Sequence, residues 1–320
     1  MVISPSPQNV FLPLVKVIAM NVAEDIARLK KSRNAVILAH NYTPGEVQEI
    51  ADYTGDSLEL ARRATQVDAG VIVFCGVSFM AETAKILNPS KTVLIPDPSA
   101  GCPMADMITG AQLRELKAKN PCAKAVCYVN STADVKAECD ICVTSGNAEA
   151  VMRRFAPDEK ILFVPDQHLG AHVSELLNRS YTLWSGYCPV HAAVTVEAIA
   201  QARRLHPGAP VLVHPECSKP VRDAADFNLS TGGMCRFARE SAAKEIIVGT
   251  EIGILHRLRK ENPDKMFYPV SDGIVCGDMK KITLEKIAEC LQEMKNEVEV
   301  PQDVSVKARR AIDAMLAVNP

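Results

Sequence analysis

The chain of 320 residues is 48% apolar, 23% charged and 5% aromatic, with a formal charge of −2 and a pI near 6.4. That balance fits a soluble globular protein and excludes the basic footprint that nucleic acid or an anionic membrane surface requires. No stretch reaches the ~18 consecutive apolar residues of a membrane span, and "NVFLPLVKVIAMNVAED" lacks the flanks of a signal peptide, so a cytoplasmic location is the default expectation.

In chain order, a helical "NVAEDIARLKKSRN" precedes the strand "AVILAH", which ends at His40 with Tyr42 two residues on. The helix "SLELARRATQ", the strand "GVIVFCG", the helix "SFMAETAKIL" and the strand "TVLIPD" follow. A second round reads "KAVCYVN", "NAEAVMRRF", "KILFVPD", "LGAHVSELLN" and "YTLWSGYC", and a third "PVLVHPE", "GGMCRFARESA", "KEIIVGTE", "GILHRLRKEN" and "KMFYPVSDG". Helical linkers "ADMITGAQLRELKAKNP", "AAVTVEAIAQARRLHP" and "MKKITLEKIAECLQEMKN" separate or follow the rounds, and "VSVKARRAIDAML" reads as a last helix. Continuous apolar strands alternating with amphipathic helices predict parallel sheets covered on both faces. The expected class is α/β, with three similar three-layer α/β/α units around a central active site. The expected boundaries are 1–105, 106–190 and 191–277 for the units and 278–320 for a helical closing segment.

The rounds repeat in register. Asp52, Asp140 and Asp226 each follow His40, Tyr128 and His214 by twelve residues, and Ser57, Ser145 and Thr231 follow them by seventeen. Cys102, Cys188 and Cys276 follow at sixty to sixty-two. Ligands of parallel sheets gather beyond the carboxyl ends of strands, so all these anchors are expected to pool in one cavity.

Eleven cysteines, an odd count without a secretory signal, argue against a disulfide framework. Three of them at equivalent loop positions offer a soft trigonal set suited to zinc or an iron–sulfur cluster. A structural zinc would call for a fourth ligand and close C-x2-C pairs, absent around these three. A [4Fe–4S] cube on three cysteines would leave one iron open. Cys139-Asp-Ile-Cys142 has redox spacing, but "AECDICVTS" reads as a helix end running into a short strand, and the pair is taken as structural. The other six cysteines are read as core or surface thiols. Hydroxyls at Ser57, Ser145 and Thr231, with Ser230 beside the last, stand at helix starts, where they cap the helix and favour an anionic substrate. His40, Tyr42, Tyr128, Asn130, His214 and Glu216 would surround the mouth, His and Glu for proton transfer, Tyr and Asn to orient or polarise carbonyls. His191, just before a helix, is a further anion contact, and His168 a weaker candidate.

Together "AHNY", "ADYTGDSLELAR", "CGVSFMAETAKIL", "GCPMAD", "YVNSTADVKAECDICVTSGNA", "FVPDQHLG", "HPEC", "STGGM" and "VSDGIVCGDM" resemble the quinolinate synthase family of NAD biosynthesis, over roughly residues 20–296. The resemblance implies an enzyme that condenses iminoaspartate with dihydroxyacetone phosphate, losing phosphate and two waters to give quinolinate. It implies a [4Fe–4S] cluster on Cys102, Cys188 and Cys276, whose open iron is a Lewis acid. By position Tyr42 and Glu216 resemble the acid–base pair, with His40 and His214 beside them. His40, Ser57, Tyr128, Asn130, Ser145, His191, His214, Glu216, Ser230 and Thr231 resemble the substrate-binding wall. Functional coupling to L-aspartate oxidase is expected, and no nucleic-acid or membrane partner. The clustered C-x2-C-x2-C of some members is missing near Cys276, which leaves no thiol switch of that kind. A non-catalytic iron–sulfur sensor or carrier, or a zinc-dependent aldolase-type lyase, is the alternative.

Overall fold

A computed structural model describes residues 22–318; most of the apolar opening considered above lies outside them. Three four-stranded sheets follow one another along the chain, and every pairing within them is parallel. The first contains β1 (Ala35–His40), β2 (Tyr53–Gly55), β3 (Val71–Cys75) and β4 (Thr92–Leu94). The second contains β5 (Lys124–Tyr128), β6 (Ile141–Val143), β7 (Ile161–Val164) and β8 (Thr182–Leu183), and the third β9 (Val211–Val213), β10 (Phe227–Asn228), β11 (Glu245–Gly249) and β12 (Met266–Pro269). The orders β2-β1-β3-β4, β6-β5-β7-β8 and β10-β9-β11-β12 are the same arrangement three times. The order in which strands are laid across the sheet reverses between the first and third strands of each unit, all still parallel, so a crevice opens at the carboxyl ends of β1, β5 and β9.

The sequence predicts three strands per unit, and the structure has four. The extra edge strands β2, β6 and β10 are two or three residues long, each preceded by a short helix (Gly45–Ile50, Ala133–Ala137, Lys219–Ala224). Only β6 carries a short apolar signal; Tyr53 and Phe227 are exposed.

The repeated aspartates explain these edges and correct an expectation. None of them reaches the cavity. Asp52 Oδ2 accepts the Ile37 N–H at 2.8 Å while its own N–H donates to Ile37 O at 3.0 Å. Asp140 does the same to Ala125 (2.8 and 2.9 Å), and Asp226 to Val211 (2.7 and 3.0 Å). Each aspartate thus ties the start of an edge strand to the amino-terminal half of its neighbour and satisfies a backbone pair that the short strand cannot reach.

Strand side chains are buried on both faces. Val36 and Leu38 join the central core, while Ile37, Ala39, Val71 and Val73 pack under an outer layer. That layer holds Ile26, from the helix over residues 22–33, and Leu284, Ile287 and Leu291, from Leu284–Glu293. Leu284–Glu293 corresponds to Gly110–Lys119 and Val196–Leu205, which precede the second and third sheets, and all three share a threonine N-cap. Thr109, Thr195 and Thr283 accept the N–H of the residue three positions on. The last copy has no sheet of its own to precede. It returns to the first sheet, where Arg33 donates to its Leu291 and Gln292 carbonyls. Val298 N–H then bonds Val93 O, and the helix Gln302–Leu316 buries Ala308, Ala311, Ile312 and Met315 in the central core. No helix among the described residues is long and apolar enough to cross a membrane.

Candidate active site

All the predicted site residues but Ser230 and the weaker candidate His168 line one cavity at the carboxyl ends of the strands. Cys102, Cys188 and Cys276 are free, partly buried thiols. Each stands directly before or close to a short helical turn (Ala105–Met107, Pro189–Ala192, Met279–Lys281), and each carbonyl accepts the N–H four residues on, from Asp106, Ala192 and Lys280. The first free amides of each turn face its sulfur, at Ala105, His191 and Met279, an arrangement that stabilises a thiolate. Burial works the other way: it pushes the Cys102 thiol to about 12 and raises those of Cys188 and Cys276.

His40 and His214 occupy equivalent strand-end positions and are held alike. The Tyr42 N–H donates to His40 Nδ1 at 3.2 Å, and the Glu216 N–H to His214 Nδ1 at 3.3 Å. Both imidazoles are buried, which lowers each to about 3 despite the nearby Glu216 carboxylate. Each is therefore neutral near pH 7, with Nδ1 occupied as an acceptor and the proton on Nε2. His214 Nε2 lies 3.2 Å from Ser145 Oγ of the second unit and stacks on His191 at 4.6 Å.

A chain of five side chains crosses the cavity wall. Tyr42 Oη lies 2.6 Å from Thr250 Oγ1, which lies 2.7 Å from His191 Nε2. His191 Nδ1 lies 2.7 Å from Glu216 Oε2, and Tyr128 donates its phenolic hydrogen to Glu216 Oε1. One consistent set of donors runs Tyr42 O–H to Thr250, Thr250 O–H to His191 Nε2, and His191 Nδ1–H to Glu216. Reversing every donor in that set carries one proton from Tyr42 to Glu216. Burial, reinforced by the Glu216 charge, holds the Tyr42 phenol well above its usual range. Burial also opposes the Glu216 charge, but His191, His214 and the hydrogen bonds from His191 and Tyr128 hold the carboxyl below its usual range. The proton therefore rests on Tyr42.

The hydroxyl positions depart from expectation in their capping. Asp56, not Ser57, caps Ser57–Gln66 by accepting the Glu59 N–H, and Ser230, not Thr231, caps Thr231–Glu240 through Gly233 N–H. Ser230 is thereby spent on the helix, whereas Ser57 and Thr231 line the cavity. Thr231 Oγ1 accepts Asn41 Nδ2 at 3.1 Å. The two helix starts meet closely, since a Cβ on Gly232 would lie 2.6 Å from Asp56 Oδ2. Asn130 Oδ1 is buried without a partner and so offers an acceptor to a ligand. His168 does not line the cavity.

Several residues of this site carry no repeat signal. Thr250 follows β11, where the equivalent positions after β3 and β7 are Gly76 and Pro165. Glu251 is fully buried; it accepts Lys280 Nζ at 2.7 Å and the Cys276 N–H at 3.1 Å, and Lys280 also donates to Tyr42 O at 2.6 Å. Asn41 sits inside "AHNY", and Arg257 Nη1 donates to its Oδ1 at 3.0 Å. Glu251 has a counterpart in Asp166 after β7, also fully buried and also accepting the N–H two residues on, but the lysine that Glu251 faces beyond the third cysteine has none.

Residues 24–317 match the NadA family, quinolinate synthetase A protein. A quinolinate synthase from Dehalococcoides mccartyi is 56% identical over 297 residues, 93% of this chain and 98% of the relative. One from Thermus thermophilus is 52% identical over 305 residues (93% and 97%), and one from Thermodesulfovibrio yellowstonii 51% over 296 (92% and 97%). With three parallel four-stranded units and a match from the first described helix through the last, the chain belongs to the quinolinate synthetase A family.

Proposed function

We propose that this protein is a quinolinate synthase that joins iminoaspartate to dihydroxyacetone phosphate and releases phosphate and two waters. The observation that carries this reading is the Tyr42–Thr250–His191–Glu216–Tyr128 chain beside three thiols. A sensor or electron carrier needs thiolates but no buried acid–base relay.

Cys102, Cys188 and Cys276 fit a [4Fe–4S] cluster. They are unpaired, face one cavity and receive backbone N–H groups, while burial makes them poor thiolates unless a cation is present. The cluster would supply a Lewis-acidic site for a substrate hydroxyl or carboxylate.

The protein's own part is binding and proton movement. The Nε2–H groups of His40 and His214 donate to substrate oxygens. Ser57, Ser145 and Thr231 receive an anionic group, and Asn130 Oδ1 accepts a substrate N–H or O–H. Glu216 is the base for the keto–enol step; Tyr42, already protonated, is the general acid for loss of water, and the proton held on Glu216 then returns along His191 and Thr250 to the phenolate left on Tyr42. The relay lets one carboxylate serve both directions.

A zinc-dependent lyase has one observation in its favour: ligand atoms of Cys188, His191 and Glu216 lie within 4.8 Å of one another. That site would consume the two central members of the relay. The deciding experiment is metal analysis and a visible spectrum of anaerobically purified protein, followed by assay of quinolinate formed from iminoaspartate and dihydroxyacetone phosphate. Iron, sulfide and quinolinate support the reading; stoichiometric zinc with no quinolinate overturns it. Adding L-aspartate oxidase as the source of iminoaspartate tests the coupling: quinolinate should form from aspartate in the coupled mixture.

A further inference from the structure

A second group of thiols lies away from the cavity, in the middle unit. Cys127 on β5 is the in-register partner of Cys142 on β6, so their side chains share a face of the sheet. Cys139 lies in the turn between Ala133–Ala137 and β6, and the Cys127 sulfur is within hydrogen-bonding reach of both thiols and of Ser131. Beside them stands Lys136, fully buried. Its Nζ donates to Thr83 Oγ1 at 3.0 Å and Phe79 O at 3.3 Å, both in the first unit's Ser78–Leu87 helix. No carboxylate forms an ion pair with it among the described residues, and the nearby Glu82 is turned to the Ala133 N–H. Burial pulls the Lys136 ammonium below its usual range, and nearby negative charge opposes that shift, Glu82 first and then the sulfurs of Cys142, Cys127 and Cys139. Burial opposes the thiolate, but Cys139, Cys142, Ser131 and Lys136 together hold Cys127 well below its usual range.

The three sulfurs do not converge as a metal site would require: the set of Cys, His and carboxylate ligands within 4.8 Å among the described residues is Cys188, His191 and Glu216. Cys142 is buried and fixed by the strand ladder, whereas Cys139 is partly exposed and in a turn. We propose that Cys127 and Cys139 form a dithiol modification site that closes to a disulfide when the protein meets a small-molecule disulfide. The Cys139 thiol, held well above its usual range by burial and the neighbouring Cys127, passes its proton to the Cys127 thiolate as its sulfur bonds to one sulfur of RSSR, and the displaced RS⁻ takes that proton from Cys127 and leaves as RSH. Cys127, again the thiolate, then attacks the Cys139 sulfur and displaces the second RS⁻, which takes a proton from solvent. Two protein thiols are oxidised and one RSSR is reduced to two RSH. Lys136 stabilises Cys127 as the attacking thiolate. The C-x2-C spacing of Cys139 and Cys142 is thus not the redox pair; the shared partner is Cys127, twelve residues before Cys139.

The linkage reaches the active site through one residue. Cys127 directly precedes Tyr128, and its sulfur lies 3.2 Å from the Tyr128 carbonyl oxygen. Disulfide formation draws that sulfur toward Cys139 and pulls on the strand that presents the Tyr128 hydroxyl to Glu216. The test is to treat anaerobically purified protein with glutathione disulfide and to follow activity, visible absorbance and the non-reduced peptide map together. A Cys127–Cys139 linkage should accumulate as activity falls roughly 10–100-fold, the scale of a small misplacement at a reacting centre. Absorbance should stay constant, and dithiothreitol should reverse both changes. Cys139→Ser, at a partly exposed position, should keep basal activity and resist inactivation. Inactivation of Cys139→Ser at the wild-type rate would overturn the proposal. So would a map showing Cys139 joined to Cys142, or Cys127 still fully alkylated after denaturation of the treated protein.

Discussion

The two ends of each sheet are built on different terms. At the amino-terminal side Asp52, Asp140 and Asp226 make the same pair of backbone bonds, with carboxylate distances of 2.8, 2.8 and 2.7 Å. At the carboxyl end the register is kept but the side chains differ: His40 with Tyr42, Tyr128 with Asn130, and His214 with Glu216. A backbone satisfied in one way can be satisfied so three times. A proton relay cannot be threefold symmetric, because it needs a donor at one end and an acceptor at the other. Repetition therefore marks what holds the fold, and departure from repetition marks the chemistry. The cysteines and the hydroxyls at Ser57, Ser145 and Thr231 are the exceptions, since the proposed trigonal ligand set and the proposed anion site both want like donors from each unit.

That contrast breaks most sharply at the cysteines. Cys102→Ala, Cys188→Ala and Cys276→Ala should each abolish quinolinate formation and the broad visible absorbance, while Cys142→Ala keeps both; iron content retained in full by the Cys188 variant would remove it from the ligand set. Next in size is the asymmetric base. Glu216→Gln should lower kcat by roughly 10²–10⁴ with KM nearly unchanged, measured on protein with its iron content verified. The relay itself is tested at Thr250, where Thr250→Val should cost roughly 10²-fold in kcat and Thr250→Ser should recover most of it. Equal activity of the valine and serine variants would mean that Thr250 only packs.

The aspartates should behave in the opposite way. Asp52→Ala, Asp140→Ala and Asp226→Ala should each lower unfolding free energy by about 1.5–3 kcal/mol, the range for a hydrogen bond to a charged group, with activity per folded molecule unchanged. Chemical denaturation compared across the three measures how equivalent they are. Asp226 adds a pH dependence. Burial works against its charge, but Arg203 and the Val211 N–H prevail and hold it below the usual carboxylate range. Its contribution is therefore present above ~3.9, the unfolded value, and is lost as pH falls through the lower folded value. Asp226→Asn should flatten that part of the acid-unfolding curve. Smallest are the threonine caps: Thr109→Ala, Thr195→Ala or Thr283→Ala should each cost about 0.5–2 kcal/mol, read as a shift in the denaturant midpoint.

Long apolar strands and anchors that recur at fixed intervals were legible along the chain, and so were the cavity residues that ride on them. The edge strands β2 and β10 were not, because two or three half-exposed residues held by a neighbouring carboxylate carry no period. The aspartates were legible as a repeat but not as to which end of the sheet they serve, since spacing fixes recurrence and not direction. Capping was misplaced by one residue at Ser57 and Thr231, where Asp56 and Ser230 take the duty. Thr250 and Lys280 were invisible: neither has a counterpart in the other rounds, and each gains its meaning from partners elsewhere in the fold.

The returning helix Leu284–Glu293 has a consequence for the birth of the molecule. During synthesis the first unit emerges before the helix that shares its outer layer, and Ile37, Val71 and Val73 stay partly uncovered until nearly the whole chain has left the ribosome. The third unit, preceded by its own outer helix, faces no such delay, whereas the second waits for Gln302–Leu316, which packs on Ala133–Ala137 and β6. The first two units to be made are thus the last to be finished, and closing the first across more than two hundred residues is a slow, entropy-limited event of folding. A circular permutant beginning near residue 278 would place that helix ahead of the first sheet and should refold faster.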